Sequence, residues 1–269
     1  MADTPTSYLM AGQAGELERL QLQSRVWEPA GEALLGELPA GAGDRALDIG
    51  CGMMGWLRLL SRWVGPAGSV LGSDVDDRML GGADAFVRAE RLANVTLVKD
   101  DLFRSQLPPA SFGLVHARFQ IAPLGRPEEQ LTAYTRLLRP GGILVFEDPD
   151  MASWRVNPGA PAVQELIALI EHGFLAAGGN FNAGRELPAL FRGAGLAPTV
   201  RARIVALVPG HPYLRLPLQF AASLRPRLEA LISPAELATL LTQTEAELAR
   251  PDTWGTTFTL VQVYAVSPT

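Results

Sequence analysis

Asp48, Gly50, Gly52 and Gly55 are the residues whose types and spacing most directly imply chemistry. They lie in the run Ala46-Leu-Asp-Ile-Gly-Cys-Gly-Met-Met-Gly55, which reads as a buried strand end, a glycine turn and a helix start. Glycines in G-x-G-x-x-G spacing let the chain reach positive φ and let its backbone approach a ligand closely. That spacing alone also suits a dinucleotide, whose pyrophosphate sits on a helix N-terminus. Asp48 argues against this, because a carboxylate there repels a pyrophosphate and attracts an ammonium or a sulfonium. Asp74 is the next candidate, an acid closing a short apolar run and placed to accept both hydroxyls of an adenosine ribose. Glu147 and His211 are the candidate proton acceptors, the first at a strand end and the second beside Tyr213.

The elements that must position these groups follow from apolar patterning. Strands are expected over residues 45–49, 69–73, 95–99, 112–117 and 143–146, with helices over 56–63, 77–92 and 126–138. One helix and one strand fit between Gly55 and Asp74, as in a βαβ unit. Asp76 and Asp77 read as an N-cap and a first-turn charge, since the spaced oxygens and terminal Glu of a calcium loop are missing. Before the first strand, Leu17, Leu20, Ser24 and Trp27 share a helical face, which Pro29 and Gly31 are expected to interrupt ahead of a second helix at 33–38. Further helices are expected at 162–177, 184–195 and around 234–241, a strand at 196–207 and a buried last strand at 256–266. Glu147 and Asp148 then stand at the C-terminal end of strand five, the edge that carries ligands in open α/β sheets.

In order and spacing these stretches resemble the class I, Rossmann-like S-adenosylmethionine-dependent methyltransferases of the small-molecule type. The matching features are the acid-x-G-x-G turn at Asp48–Gly52 and the E-x-x-R-L-x-x-Q pattern of Glu16, Arg19, Leu20 and Gln23. His116-Ala-Arg-Phe119 at the tip of strand four and the turn Leu138-Arg-Pro-Gly-Gly142 complete them. The likeness covers residues 17–142, then more loosely 184–196 and the last strand. It implies a doubly wound, mostly parallel seven-stranded sheet with an antiparallel last strand and a helical lid. It implies S-adenosyl-L-methionine as cofactor. The cofactor residues implied are Tyr8 and Gln23 from the N-terminal region, and Asp48, Gly50, Cys51 and Gly52 from the turn. Asp74, Val75 and Met79 follow the second strand, Asp101 and Leu102 meet the adenine, and Ala117 and Arg118 run beside the methionine part. Many relatives carry a histidine five positions after this arginine; Pro123 stands there instead, which removes one familiar general base. Trp154, Phe174, Phe181, Tyr213 and Phe220 would suit a flat or apolar acceptor, such as an aromatic metabolite of secondary metabolism. The atom methylated, on carbon, nitrogen or oxygen, stays open. So do two other readings: the same fold catalysing a cyclisation, rearrangement or elimination, or a non-catalytic cofactor-binding module.

The implied layout is an N-terminal helical cap at 1–40, a cofactor-binding core at 41–150 and a helical lid at 151–183. A core helix and strand at 184–208, a second helical insertion at 209–255 and the last core strand at 256–269 complete it. A chain of 269 residues, 48% hydrophobic, suffices to bury such a core. A net charge of −5 with no basic patch excludes an electrostatic nucleic-acid footprint. Cys51 is the sole cysteine, so neither a disulfide framework nor a cysteine metal site is available, and the three histidines lack ligand spacing. The expectation is a cytoplasmic monomer or homodimer with a small-molecule acceptor, no metal, no nucleic acid and no membrane partner.

Overall fold

The computed structural model describes residues 16–268. Helix α1 (Glu16–Leu35) opens it. Trp27, Ala30 and Leu34 are buried along one face, three and four residues apart. The helix runs straight through Pro29, against expectation. The proline removes one backbone hydrogen bond, but burial of its flanking residues holds the turn together. Gly31 helps, because a Cβ there would come within 2.8 Å of Leu59 Cδ1 and 2.9 Å of the Trp56 ring. The glycine thus lets α1 lie close on the next helix.

The core alternates as expected: β1 (Arg45–Ile49), α2 (Leu57–Val64), β2 (Ser69–Asp74), α3 (Asp77–Ala89), β3 (Val95–Lys99), β4 (Phe112–Arg118), α4 (Ile121–Leu124), α5 (Pro127–Leu137) and β5 (Leu138–Asp150). Then come β6 (Arg155–Asn157), α6 (Pro161–Ala176), α7 (Ala183–Gly193), β7 (Thr199–Arg203), β8 (Ala206–Leu207), α8 (Leu216–Leu228), α9 (Pro234–Leu248), β9 (Trp254–Thr256) and β10 (Thr259–Val266). Seven strands form one sheet in the order β3-β2-β1-β4-β5-β10-β7. β1 to β5 are parallel, and β10 runs antiparallel between β5 and β7. Strand order reverses between β1 and β4, the switch point where open α/β sheets bind ligands. No described helix is long and apolar enough to cross a membrane.

Two departures matter for the site. β5 is longer than the expected four residues, because a register shift opposite Phe112 and Leu114 absorbs the Pro140-Gly141-Gly142 segment into the ladder. At its other end β5 runs past Phe146 to Asp150, so Glu147 and Asp148 lie inside the sheet, paired with Gln262 and Val261 of β10. The segment expected as one strand over 196–207 divides into β7 and β8. β8 joins β6 and β9 in a small second sheet of two- and three-residue strands, too short to show a period in sequence.

Candidate active site

The turn after β1 is built by the acids that flank it. The Trp56 N–H donates to Asp48 Oδ2 at 2.7 Å, capping the entry to α2. The Gly52 N–H donates to Asp74 Oδ2 at 2.9 Å, and the Asp76 N–H to Asp74 Oδ1 at 2.9 Å. Gly52 sits at φ +55, where a side chain would be strained although its Cβ would meet no protein atom. Gly55, at φ +42, has the opposite problem too: a Cβ there would overlap the Asp48 carboxylate. Burial pushes the Asp74 carboxyl above its usual value, and the two backbone N–H donors oppose it. Burial, then Asp48 and Asp74, push the Cys51 thiol well up, so it stays a neutral wall rather than a nucleophile.

The turn forms one wall of a cavity of about 500 Å³ at the switch point. That volume falls within the ~300–1,000 Å³ of small-ligand sites. Of the residues expected at a cofactor, the cavity is lined by Gln23, Asp48, Gly50, Cys51, Gly52, Asp74, Val75, Met79, Asp101, Leu102 and Arg118. Ala117 lies behind the wall, fully buried in β4. Tyr8 lies outside the described residues. Asp101 Oδ1 accepts the Phe103 N–H at 3.0 Å, which turns the chain after β3 into a short 3-10 turn facing the cavity. α1 closes the opposite side through Leu20, Gln23 and Ser24.

Neither expected proton acceptor reaches the cavity. Glu147 is fully buried behind His116, whose Nε2 lies 3.1 Å from its Oε2, while Gln262 Nε2 donates to Oε1 at 2.5 Å. Its placement follows from the extended β5, which carries it into the ladder instead of the strand's free end. His211 caps a short turn by accepting the Tyr213 N–H at 3.1 Å and borders a separate shallow surface depression with Arg215 and Arg250. The aromatic residues suggested for an acceptor are filled by one another. Phe181 stacks on Trp154 at 6.2 Å and meets Phe174, Phe220 and Phe258 edge-on at 4.7, 5.3 and 5.7 Å. All are buried core between the sheet and α6, α8 and α9.

The cavity also takes in residues that were not expected at the cofactor: Ser24, Met53, Met54, His116, Phe119, Gln120 and Leu124. Phe119 adopts φ +56, an uncommon conformation for an aromatic residue and one that recurs at binding sites. Its position after the strand-four tip was the available signal. Arg118 Nη2 donates to Ser24 Oγ at 3.3 Å, and Nη1 lies 3.9 Å from Glu147 Oε2 without a hydrogen bond of its own. The guanidinium is only 7% exposed, and Nη1 is buried on the Glu147 side of the cavity wall.

Asp148 braces the wall from behind. Its oxygens accept the Ala122 N–H at 3.0 Å and the Ile121 N–H at 3.4 Å, fixing α4 to β5. Burial pushes its pKa up to about 7, against those two donors, and Glu147 adds to the rise. Between the ordinary value of 3.8 and about 7 the folded protein holds a proton that the unfolded chain has lost. This group's contribution therefore lowers stability as pH rises through that window. Asp148→Asn, which cannot ionise, should gain on the wild type by at least about 1 kcal/mol between pH 5 and 8, or roughly 2–4 °C in Tm. Thermal melts at both pH values check this; a constant difference would show that Asp148 ionises normally.

Residues 46–142 match the methyltransferase-domain family. A 37.1 kDa protein of transposon TN4556 in Streptomyces fradiae is 32% identical over 168 residues, 62% of this chain and 48% of that one. The demethylmenaquinone methyltransferase of Geobacillus kaustophilus is 34% identical over 103 residues, 38% of this chain and 44% of that enzyme. The chain thus spans about half the length of the curated relatives it matches. Among solved structures, a SAM-dependent methyltransferase from Aquifex aeolicus aligns over 95% of this chain and 98% of its own, with TM-score 0.56 and 19% identity. Phosphoethanolamine N-methyltransferase 2 of Haemonchus contortus, in complex with phosphomonomethylethanolamine and S-adenosylhomocysteine, aligns over 99% and 61%, with TM-score 0.59 and 17% identity. At such identities the structural likeness is one of fold.

Proposed function

Because the chain carries a methyltransferase domain on the class I, Rossmann-like fold, we propose that it is an S-adenosylmethionine-dependent methyltransferase acting on a small, apolar or aromatic metabolite. One observation carries the reading: the Asp48 glycine turn, Asp74 and Asp101, from the ends of three neighbouring strands, line a single cavity at the switch point. The residues present fit this cofactor. Asp74 keeps lone pairs for two ribose hydroxyls, and Asp101 and the Leu102 backbone face the adenine. Val75, Met79 and Leu102 supply apolar cover for the ring, while Cys51 and Gly52 bring main chain close to the ligand. Arg118 brings a cationic side chain to the cavity wall for the methionyl carboxylate. When bound, the cofactor supplies a methyl group already activated by its sulfonium.

What remains for the protein is alignment of the acceptor and exclusion of water. Leu20 and Ser24 of α1 with Phe119 and Leu124 form the acceptor side. Among the described lining residues the histidine is His116, and both its ring nitrogens face carboxylates. The reaction therefore runs without a histidine base, which favours an electron-rich carbon or an unprotonated heteroatom as acceptor. The same feature suits a recruited cyclisation or elimination, and formation of S-adenosylhomocysteine separates the two readings.

The test is calorimetry. S-adenosylhomocysteine should bind more tightly than NAD, and Asp74→Ala should weaken it by about 1–3 kcal/mol, the range for leaving paired polar groups without an acceptor. Tighter binding of NAD would end the proposal. An Asp74→Ala variant with unchanged affinity would remove the ribose contact from it.

A further inference from the structure

The glycine turn after β1 and helix α1 are joined by a buried polar chain. It begins at Asp48, whose Oδ1 lies 2.7 Å from His116 Nδ1. His116 Nε2 lies 3.1 Å from Glu147 Oε2. From Glu147 the chain divides. Gln262 Nε2 donates to Glu147 Oε1 at 2.5 Å and to the Ala30 carbonyl of α1 at 3.2 Å. Arg118 approaches Glu147 Oε2 at 3.9 Å and donates to Ser24 of α1 at 3.3 Å. We propose that His116 is a positioning residue, an imidazolium that bridges Asp48 and Glu147 and so locks the cofactor turn to helix α1. The functional consequence rests on the methyltransferase reading; the bridge itself does not.

Two protons on the ring satisfy both contacts at once. A neutral imidazole has one N–H and one bare nitrogen, so one of the two carboxylates would face a lone pair. Glu147 stays ionised: against the pull of burial, His116, Arg118 and Gln262 hold its carboxyl below the usual value. Charge gives the same answer. Asp48, Glu147 and His116 are at most 1% exposed, and the charged groups facing the ring are Asp48 from β1, Glu147 from β5 and Arg118 from β4 itself. The Trp56 ring stacks on the imidazole at 3.8 Å and carries no charge, and Gln262 from β10 is neutral. Two carboxylates balance two cations only if His116 is one of them. Burial pulls the His116 pKa down, but Asp48 and Glu147 outweigh it and hold it above 6.5. The bridge is therefore complete below that raised value and opens as pH rises through it. On deprotonation one link parts, leaving a net buried negative charge, and α1 loosens from the turn.

The experiment has a ligand arm and a ligand-free arm. Wild-type affinity for S-adenosylhomocysteine should fall about tenfold as pH rises through the raised His116 value, the worth of one charge-assisted hydrogen bond. Hydrogen exchange in α1 around Ser24–Ala30 should rise over the same range. The ligand's own amine titrates nearby, so the readout is the difference from His116→Gln. That variant should bind about tenfold more weakly at acid pH, lose the His116-dependent part of the slope, and exchange α1 amides quickly throughout. A His116→Gln profile parallel to the wild type, or unchanged α1 exchange, overturns the proposal. The second arm uses ¹⁵N NMR of the histidine rings in the wild type, which holds even if the variant misfolds. Two N–H nitrogens on His116 at pH 6 support the bridge, and one bare nitrogen there overturns it. If the wild type binds no S-adenosylhomocysteine at any pH, the functional reading fails while the NMR arm still decides the bridge.

Discussion

Trp27→Ala is expected to lower the free energy of unfolding by about 3–5 kcal/mol, the usual range for truncating a fully buried large aromatic. Trp27 is 0% exposed, its ring lies 5.3 Å from Phe258, and its Nε1 donates to the Tyr213 hydroxyl at 3.2 Å. The substitution leaves a cavity between α1 and the aromatic core and strips that hydroxyl of a donor. Against a total stability of roughly 5–15 kcal/mol the loss is severe. Trp27→Phe keeps a six-membered aromatic ring and forfeits the N–H with the rest of the five-membered ring, so it should cost less than the alanine variant. Trp27 also anchors the helix whose Leu20, Gln23 and Ser24 line the cavity one to two turns away. S-adenosylhomocysteine affinity should therefore fall in Trp27→Ala under conditions where the protein is still folded. Urea unfolding followed by circular dichroism measures the first effect and calorimetry the second. A loss below about 1 kcal/mol would mean that α1 rests on the core without being held by it.

The parts legible in sequence are those fixed locally. β1 and β3 fall where their apolar runs put them, and Asp76 caps α3 by accepting the Arg78 N–H at 2.8 Å. Asp74 and Asp101 could be placed because each closes a strand, so one boundary locates the side chain. What was not legible depends on partners far along the chain. Glu147 looks like a strand-end acid until Gln262, 115 residues later, pairs with it. The His116 bridge needs residues from three strands, and no spacing between positions 48, 116 and 147 announces it. Aromatics in the helical insertions read equally well as a pocket or as core; packing decided for core, with Phe181 at its centre. Pro29 signals a break that tertiary burial overrides. β6, β8 and β9 are too short for period-two patterning to register.

Asp48 carries the second large effect and separates two accounts of the same residue. Its position before the glycine turn suggests a carboxylate waiting for a cation, and in the sequence alone a sulfonium is a reasonable guest. In the fold both oxygens are already engaged, Oδ2 by the Trp56 N–H and Oδ1 by His116. The group is 1% exposed, and its charge is offset by a neighbouring imidazolium. Its main work is then to shape the turn. Asp48→Ala leaves a buried N–H and a buried cation without a partner, so it should destabilise the fold by about 3–5 kcal/mol, as when one member of a buried pair is removed. Asp48→Asn keeps the size and one acceptor oxygen and should lose about 1–3 kcal/mol. This milder variant is the informative one. S-adenosylmethionine carries the sulfonium and S-adenosylhomocysteine does not, yet both rest on the same turn. If Asp48 shapes the turn, Asp48→Asn weakens both ligands alike, and their affinity ratio stays within about twofold of wild type, under ~0.5 kcal/mol. If Asp48 instead attracts the sulfonium, S-adenosylmethionine should lose about tenfold more than its demethylated product. Paired titrations of the two ligands against wild type and Asp48→Asn decide between them. The engaged oxygens predict the unchanged ratio.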